Sequence, residues 1–373
     1  MQKHFLVFVI AFSFISCKKN TVNTDLLIGD WEFITPKTIY DKDSDISTTY
    51  YRSDFRFEKD SIFKINDGFF ERIDNRRNSH YDKYMGQKSR FYVDHDSLYI
   101  LNPATNKYFT QKISNLSKDT LALYDKEDNQ TFYFKKKKFK KPTQTHLTQI
   151  TLSLEPCFGT CPISSISIDS KGNVIYFGES YTPNIGLFKG KLDESFFQEI
   201  ILDLNKIRFT ELENKYSVGN MTDLPGLSVS FIKDQKIVKT IYNYGNAEPR
   251  NLSGILNKII YAYQDANLQK IEYDFPILNS AFPPYFLLNN SETFYLQTLL
   301  LKAPKTETKF IAKYNQKSSL VLPENFDYAK YDEMKRKIET NGRYFRIENK
   351  DHQFSTFDIG FDFFKINESF SAN

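Results

Sequence analysis

Few residues in this chain have the types and spacing that chemistry requires. Asp94-His95-Asp96-Ser97 gathers acid, base and hydroxyl in one line. A nucleophilic triad is assembled in space, and adjacent residues on a hairpin tip point apart, so this string reads as a turn. Asp41-Lys42-Asp43-Ser44-Asp45 has the opening spacing of a calcium loop, but Ile46 and Arg52 stand where such a loop needs glycine and glutamate. It reads as a solvated loop. Gly186-Leu187-Phe188-Lys189-Gly190-Lys191 has three residues between its glycines and Leu192 after the lysine, which fails the phosphate-loop pattern. Neither G-x-S-x-G nor H-E-x-x-H occurs. No catalytic residues, no metal site and no cofactor are expected.

The three cysteines are more informative. Cys17 follows Met1-Gln2-Lys3-His4, an apolar run over Phe5–Ile15, and Ser16. A charged head, a greasy stretch too short to span a bilayer and a small residue before the cysteine make a secretory signal over residues 1–16. An ordinary cleaved signal with Cys17 left free is the plainer alternative. Export would leave Cys157 and Cys161 as an even pair in an oxidising compartment, which favours a disulfide. A redox pair would want C-x-x-C at a helix start. Here the spacing is one longer, and Pro162 leads into a strand with no helix dipole to stabilise a thiolate. A loop this small stabilises modestly, by about 1–2 kcal/mol, so its role is to brace a turn.

Composition limits the partners. Hydrophobic residues are 40% of the chain and charged residues 26%, enough for real cores under a soluble surface. The net charge of +4 gives no basic excess for nucleic acid. Phe and Tyr number 35 and 24, against one Trp, which favours strands. The one strong charge run is Lys135–Lys138 with Lys140 and Lys141. It reads either as a contact for anionic headgroups or as a solvated strand end.

The elements follow from pattern. Residues 17–25 form a tether. Over 26–141, short alternating segments recur: Trp31–Ile34, Thr49–Phe57, Ser61–Ile65, Arg90–Val93, Leu98–Leu101, Tyr108–Ile113, Thr120–Tyr124 and Thr131–Lys136. With turn-formers such as Asn66-Asp67-Gly68 between them, they predict an antiparallel sandwich or barrel without helices. Residues 147–270 read as α+β. A hairpin turns at Asp169–Gly172, and a second strand pair turns at Lys233–Lys236. Asp193 caps a helix with Phe196, Phe197, Ile200, Ile201 and Leu204 on one face, and Pro249 opens another. Both helices would cover one face of an antiparallel sheet. Over 271–373 the pattern predicts strands at Phe294–Leu301 and Lys309–Tyr314. A helix bearing Tyr331, Met334 and Ile338 follows, then two closing strands. The fold class expected is multidomain and β-rich: an antiparallel barrel followed by α+β units.

Three stretches carry family resemblances. Phe14-Ile15-Ser16-Cys17 resembles the lipobox of bacterial lipoproteins, with phenylalanine in place of the usual leucine. That implies diacylglycerol on Cys17 and cleavage before it. With Lys18 rather than aspartate next, it favours an outer-membrane address. Gly29-Asp30-Trp31 resembles the G-x-W motif of lipocalin-like barrels, in which the Trp plugs the closed end under a basic residue from the last strand. Lys135 or Lys136 could serve here. Cys157-Phe158-Gly159-Thr160-Cys161-Pro162 and Thr222-Asp223-Leu224-Pro225 resemble an uncharacterised domain family found in lipoproteins of Bacteroidota-type bacteria, which brings a fold expectation but no activity. The reading is a non-enzymatic envelope lipoprotein, held to the membrane by an N-terminal lipid, with a small apolar ligand in the barrel or an envelope protein as partner. The alternative is an envelope enzyme built from scattered carboxylates and tyrosines at a domain interface.

Overall fold

Alternation of phenylalanine with charge writes the first half of the molecule. A computed structural model describes residues 22–34, 53–74, 80–219, 221–273, 275–278, 288–319 and 334–367. Cys17, the Asp41–Asp45 string and Tyr331 lie outside the described residues. Strands β1 (Gly29–Phe33), β2 (Phe55–Glu58) and β3 (Ile62–Ile65) are followed by a separate hairpin, β4 (Phe70–Asp74) and β5 (His80–Tyr84). Then come β6 (Lys88–Asp94), β7 (Ser97–Asn102), β8 (Lys107–Leu116), β9 (Thr120–Asp125) and β10 (Gln130–Lys136). Eight of these close into an antiparallel barrel in the order β1-β10-β9-β8-β7-β6-β3-β2. Closure leaves no unpaired edge.

Phenylalanine leads the inward positions: Phe33, Phe55, Phe57, Phe63, Phe91, Phe132 and Phe134 are buried in one cluster with Trp31, and Leu98, Ile100, Ile113, Leu121 and Leu123 fill the rest. Their rings pack at centroid distances of 4.6 Å (Phe55–Phe134), 4.7 Å (Phe57–Phe91) and 5.3 Å (Phe57–Phe63). Those are the spacings of aromatic contact in a packed core.

The second sheet comprises β11 (Gln149–Leu154), β12 (Ile163–Asp169), β13 (Asn173–Ser180), β14 (Gly186–Lys191), β15 (Lys215–Ser217), β16 (Gly226–Lys233), β17 (Lys236–Tyr244) and β18 (Gln269–Lys270). Its order is β15-β17-β16-β11-β12-β13-β14-β18, antiparallel except where β15 runs parallel to β17. Helices α1 (Glu194–Lys206) and α2 (Arg250–Tyr261) cover one face with Phe197, Ile200, Leu204, Leu252, Leu256 and Ile259. Asp193 caps α1 by accepting from the Ser195 amide.

The other face carries hydroxyls: Thr151, Ser153, Ser228, Ser230 and Thr240 are all buried. Helix α3 (Asn290–Lys302) lies over them. The Ser230 and Ser291 hydroxyls are 2.8 Å apart, and the Ser291 amide donates to Ser228 Oγ at 3.0 Å. Beyond α3, β19 (Tyr314–Ser319), β20 (Lys335–Thr340), β21 (Tyr344–Glu348) and β22 (Phe354–Asp358) form a four-stranded sheet, closed by the short helix α4 (Phe363–Ile366).

Three expectations are corrected here. Phe294–Leu301, read as a strand, lies inside α3. That helix is buried on nearly every side, from Ser291 through Thr298, so it shows no polar stripe from which a helical period could be read. The segment with Met334 and Ile338, read as a helix, is strand from Lys335 onward, where buried Arg336 and Ile338 alternate with exposed Lys337 in β20. The Arg336 guanidinium donates to the Asn349 and Lys350 carbonyls, so a charged residue occupies an inward position. The strand expected over Lys309–Tyr314 begins only at Tyr314 and runs on to Ser319.

Candidate binding groove

The wall of the barrel that faces α1 and α2 holds the site. Strands β1, β2 and β3 turn their phenylalanines inward and their charges outward, toward the helices. Asp30 is 3.2 Å from Lys206 on α1 and 3.9 Å from Arg56. Asp54 accepts from the Phe33 amide at 3.1 Å and from Lys137 Nζ at 2.9 Å, and lies 3.8 Å from Arg250 on α2. Lys206 also sits 4.0 Å above the Phe139 ring. Lys258 on α2 reaches Asp203 on α1 at 2.6 Å.

At one end the two units touch closely. A Cβ on Gly254 would fall 2.3 Å from the Asn66 carbonyl oxygen, so α2 needs glycine there. Asn66 Nδ2 donates to the Arg250 carbonyl, Gln87 Nε2 to the Gly254 carbonyl at 3.0 Å, and Asn257 Nδ2 to the Asp67 carbonyl at 3.0 Å. The Asn66-Asp67-Gly68 turn is thus a docking element. The hairpin β4–β5 extends the contact, stacking Tyr84 on Tyr261 at 5.4 Å.

Between the docked end and the Asp30–Lys206 pair the units part, leaving a groove of about 780 Å³. Barrel residues Arg56, Lys64 and Lys88 line one side, and Glu199, Leu202 and Asp203 of α1 the other. Leu202 is 68% exposed although it lies on the helix's groove side. Burial pushes the Tyr84 phenol up, and its buried hydroxyl has no hydrogen-bond partner among the described residues. Grooves at unit interfaces are where ligand sites concentrate.

Gly29 and Trp31 lie at the start of β1, and Trp31 is fully buried. The Trp31 indole N–H donates to the Leu27 carbonyl at 2.7 Å. Of the two lysines on the last strand, Lys136 covers the ring, its Nζ 4.2 Å from the centroid and 2.8 Å from the Leu26 carbonyl. Burial holds that ammonium below the ordinary lysine value, with Asp119 and Asp30 opposing. The rest of the lysine run has separate tasks. Lys135 pairs with Glu32 and Lys137 with Asp54, while Lys138 is exposed, 3.9 Å from Asp119. It acts as a set of individual braces more than as a patch.

Cys157 and Cys161 are joined, with Cα atoms 5.7 Å apart. The clamped tip carries Phe158, 87% exposed, whose amide donates to the Asp223 carbonyl at 3.0 Å. In the Asp94–Ser97 string, His95 Nδ1 contacts Asp94 at 2.7 Å while the Ser97 hydroxyl turns to Asp96 at 3.4 Å. The base and the hydroxyl therefore have different partners, and His95 holds a turn with φ of 56°. Among the described residues no three His, Cys, Asp or Glu side chains converge as a metal site would need.

The carboxyls that burial raises are Glu155, Glu179, Glu248 and Glu292, and none of them lines the groove. Glu155 accepts from the Tyr242 hydroxyl at 3.3 Å and from Asn290 at 3.0 Å. Glu292 is the reciprocal partner of Asn289 in the capping box of α3.

The groove could not be read from sequence, because Arg56, Lys64, Lys88 and Leu202 become neighbours only once the strands pair and α1 docks. The β4–β5 hairpin had no period-2 signal in Phe70-Glu71-Arg72-Ile73-Asp74, whose apolar residues stand three apart.

No curated protein matches the chain. Among solved structures it is similar to a lipocalin-like protein from Bacteroides uniformis ATCC 8492, 14% identical, covering 30% of this chain and 98% of that one with a TM-score of 0.19. It is likewise similar to an uncharacterized protein from Bacteroides eggerthii DSM 20697, 14% identical, covering 30% and 99% with a TM-score of 0.18. The barrel therefore stands on its own strand pairing and not on these neighbours. Residues 148–263, from the first strand of the second sheet through α2, match the family described as a domain of unknown function, DUF6438. The chain thus contains a DUF6438 domain with its helices turned toward a closed eight-stranded barrel.

Proposed function

We propose that this chain is a non-enzymatic binding protein of the bacterial cell envelope. It is tethered by lipid on Cys17 and grips its ligand between the barrel wall and the two helices. The observation that carries the reading is the contrast between a barrel packed with phenyl rings and an open groove of about 780 Å³ beside it. Rings in mutual contact crowd the barrel interior, whereas the groove stands open. The groove has charge and exposed apolar surface. Binding rather than catalysis fits the groove: three of its five acids, Asp30, Asp54 and Asp203, each face a cation within 4 Å, and none of the carboxyls that burial raises lines it. A general acid or base needs a carboxyl left free to exchange its proton near neutral pH. The tether rests on the signal pattern that ends at Cys17.

Two measurements test this. Cys17→Ser should leave the folded chain intact while moving it from the membrane fraction to the soluble one. Retention after a salt wash would sink the tether. Native mass spectrometry of the chain purified from its own envelope should show a retained small molecule or partner. A bare mass under several mild conditions would count against the groove as a binding site.

A further inference from the structure

The wall of the groove has a feature its stability does not need. Arg56, Lys64 and Lys88 stand side by side on β2, β3 and β6, in direct cross-strand register: Arg56 opposite Lys64, and Lys64 opposite Lys88. All three line the groove. Like charges directly opposite one another weaken a sheet, and opposite charges would strengthen it.

Compensation is incomplete. Glu58 reaches Lys64 at 2.8 Å and Arg56 at 3.4 Å. Burial works to raise its carboxyl, but the Lys64 hydrogen bond and the charges of Lys64, Arg56 and Lys88 hold it below the usual range. Asp30 is nearer to Lys206 than to Arg56. Lys88 makes no ion pair among the described residues and is exposed. Arg56 Nε lies between the Glu58 and Asp30 carboxylates but makes no hydrogen bond among the described residues. Across the groove the position is reversed: Lys206 and Lys258 each hold a carboxylate, and Glu199 and Asp265 add acid. The surplus cations thus sit on the barrel wall.

We propose that Arg56, Lys64 and Lys88 form a site for a phosphate-type anion, the anchoring group of the groove's ligand. This rests on the groove being the binding surface and adds the chemistry of its occupant. Adjacent strands lie about 4.8 Å apart, so the outer two of the three cations are separated by roughly 10 Å at their bases. A tetrahedral anion of charge up to two, with several acceptor oxygens, can draw long side chains inward from that spacing. A free phosphate ester and a phospholipid headgroup share this chemistry.

The test uses the full chain in its Cys17→Ser form, so that no acyl chain itself carries the protein to a membrane. Inorganic phosphate should raise the thermal midpoint beyond what sodium chloride of equal ionic strength does. Lys88→Gln should weaken the apparent affinity about tenfold, the loss of one charge-assisted contact, and Lys88→Glu should abolish the effect. Neither substitution threatens folding, because Lys88 is exposed and makes no ion pair among the described residues, and without phosphate Lys88→Gln should raise the midpoint slightly. In the second arm, phosphatidylglycerol vesicles are compared with phosphatidylcholine vesicles. Co-sedimentation with the first alone, lost in Lys88→Glu and competed by phosphate, assigns the site to a headgroup. A phosphate effect without vesicle binding assigns it to a soluble phosphate compound. If phosphate acts no differently from chloride and neither vesicle binds, the anion site is wrong. The site is refuted equally if Lys88→Glu changes nothing. A mass still retained in native spectra after that result would leave the groove standing and only its chemistry refuted.

Discussion

The inner and outer faces of β1–β3 are built from alternate residues of the same strands, yet they do opposite things. Phe55, Phe57 and Phe63 point inward and meet other rings at contact distance. Arg56, Glu58 and Lys64 point outward and meet each other, and Arg56 and Lys64 line the groove that α1 and α2 face. The contrast shows where function can sit. A face of rings in mutual contact has little freedom to rearrange. A face of long charged side chains can be rearranged by whatever enters.

Substitutions on the two faces should therefore separate stability from binding. The greatest loss is expected inside. Phe57→Ala should lose about 3–5 kcal/mol in denaturant unfolding by opening a ring-sized cavity. Next comes the knot that ties both units: Asp54→Ala strips an acceptor from the Phe33 amide and leaves Lys137 and Arg250 without their carboxylate. A loss of about 2–3 kcal/mol is expected. Gly254→Ala should destabilise by about 1–3 kcal/mol, since its methyl meets the Asn66 carbonyl. An ordinary helix would instead gain from this exchange. A gain in the measured midpoint would show that the units are not docked as described.

Smaller effects belong to the outer face. The carboxyl of Glu58 is held low, so its contribution is present above the unfolded value of 4.5 and is lost as pH falls through the lower folded value. Glu58→Gln should lose under about 1 kcal/mol at pH 7, and that difference should shrink toward zero in acid. A difference that grows as pH falls would reverse the sign. Least of all, Leu202→Ser should change stability by less than about 0.5 kcal/mol, because the side chain is already exposed.

The legibility of the molecule divides along the same line. Strands such as Ser61–Ile65 and Thr131–Lys136 were readable because one face is apolar and the other is not. The helices at 194–206 and 250–261 were readable for the same reason. Helix α3 was not, because hydroxyls cover the sheet beneath it and apolar side chains cover much of the rest. With Ser291, Thr293, Gln297 and Thr298 buried beside Phe294, Tyr295 and Leu296, no stripe remains. For the site, Trp31 with a lysine above it was within reach of the G-x-W resemblance, and pairing selects Lys136 over Lys135. The cation row was not within reach, since register across β2, β3 and β6 exists only after folding, and a 22-residue excursion separates Ile65 from Lys88.

The proposed ligand lies outside the barrel, and its position can be decided by native mass spectrometry of three proteins purified from their native cells. These are the unaltered chain, Leu202→Trp, which crowds the groove, and Phe57→Leu, which loosens the barrel interior. The retained mass is expected to disappear from Leu202→Trp and to persist in Phe57→Leu. Persistence in the first and loss in the second would place the ligand in the lumen and overturn the groove as its seat.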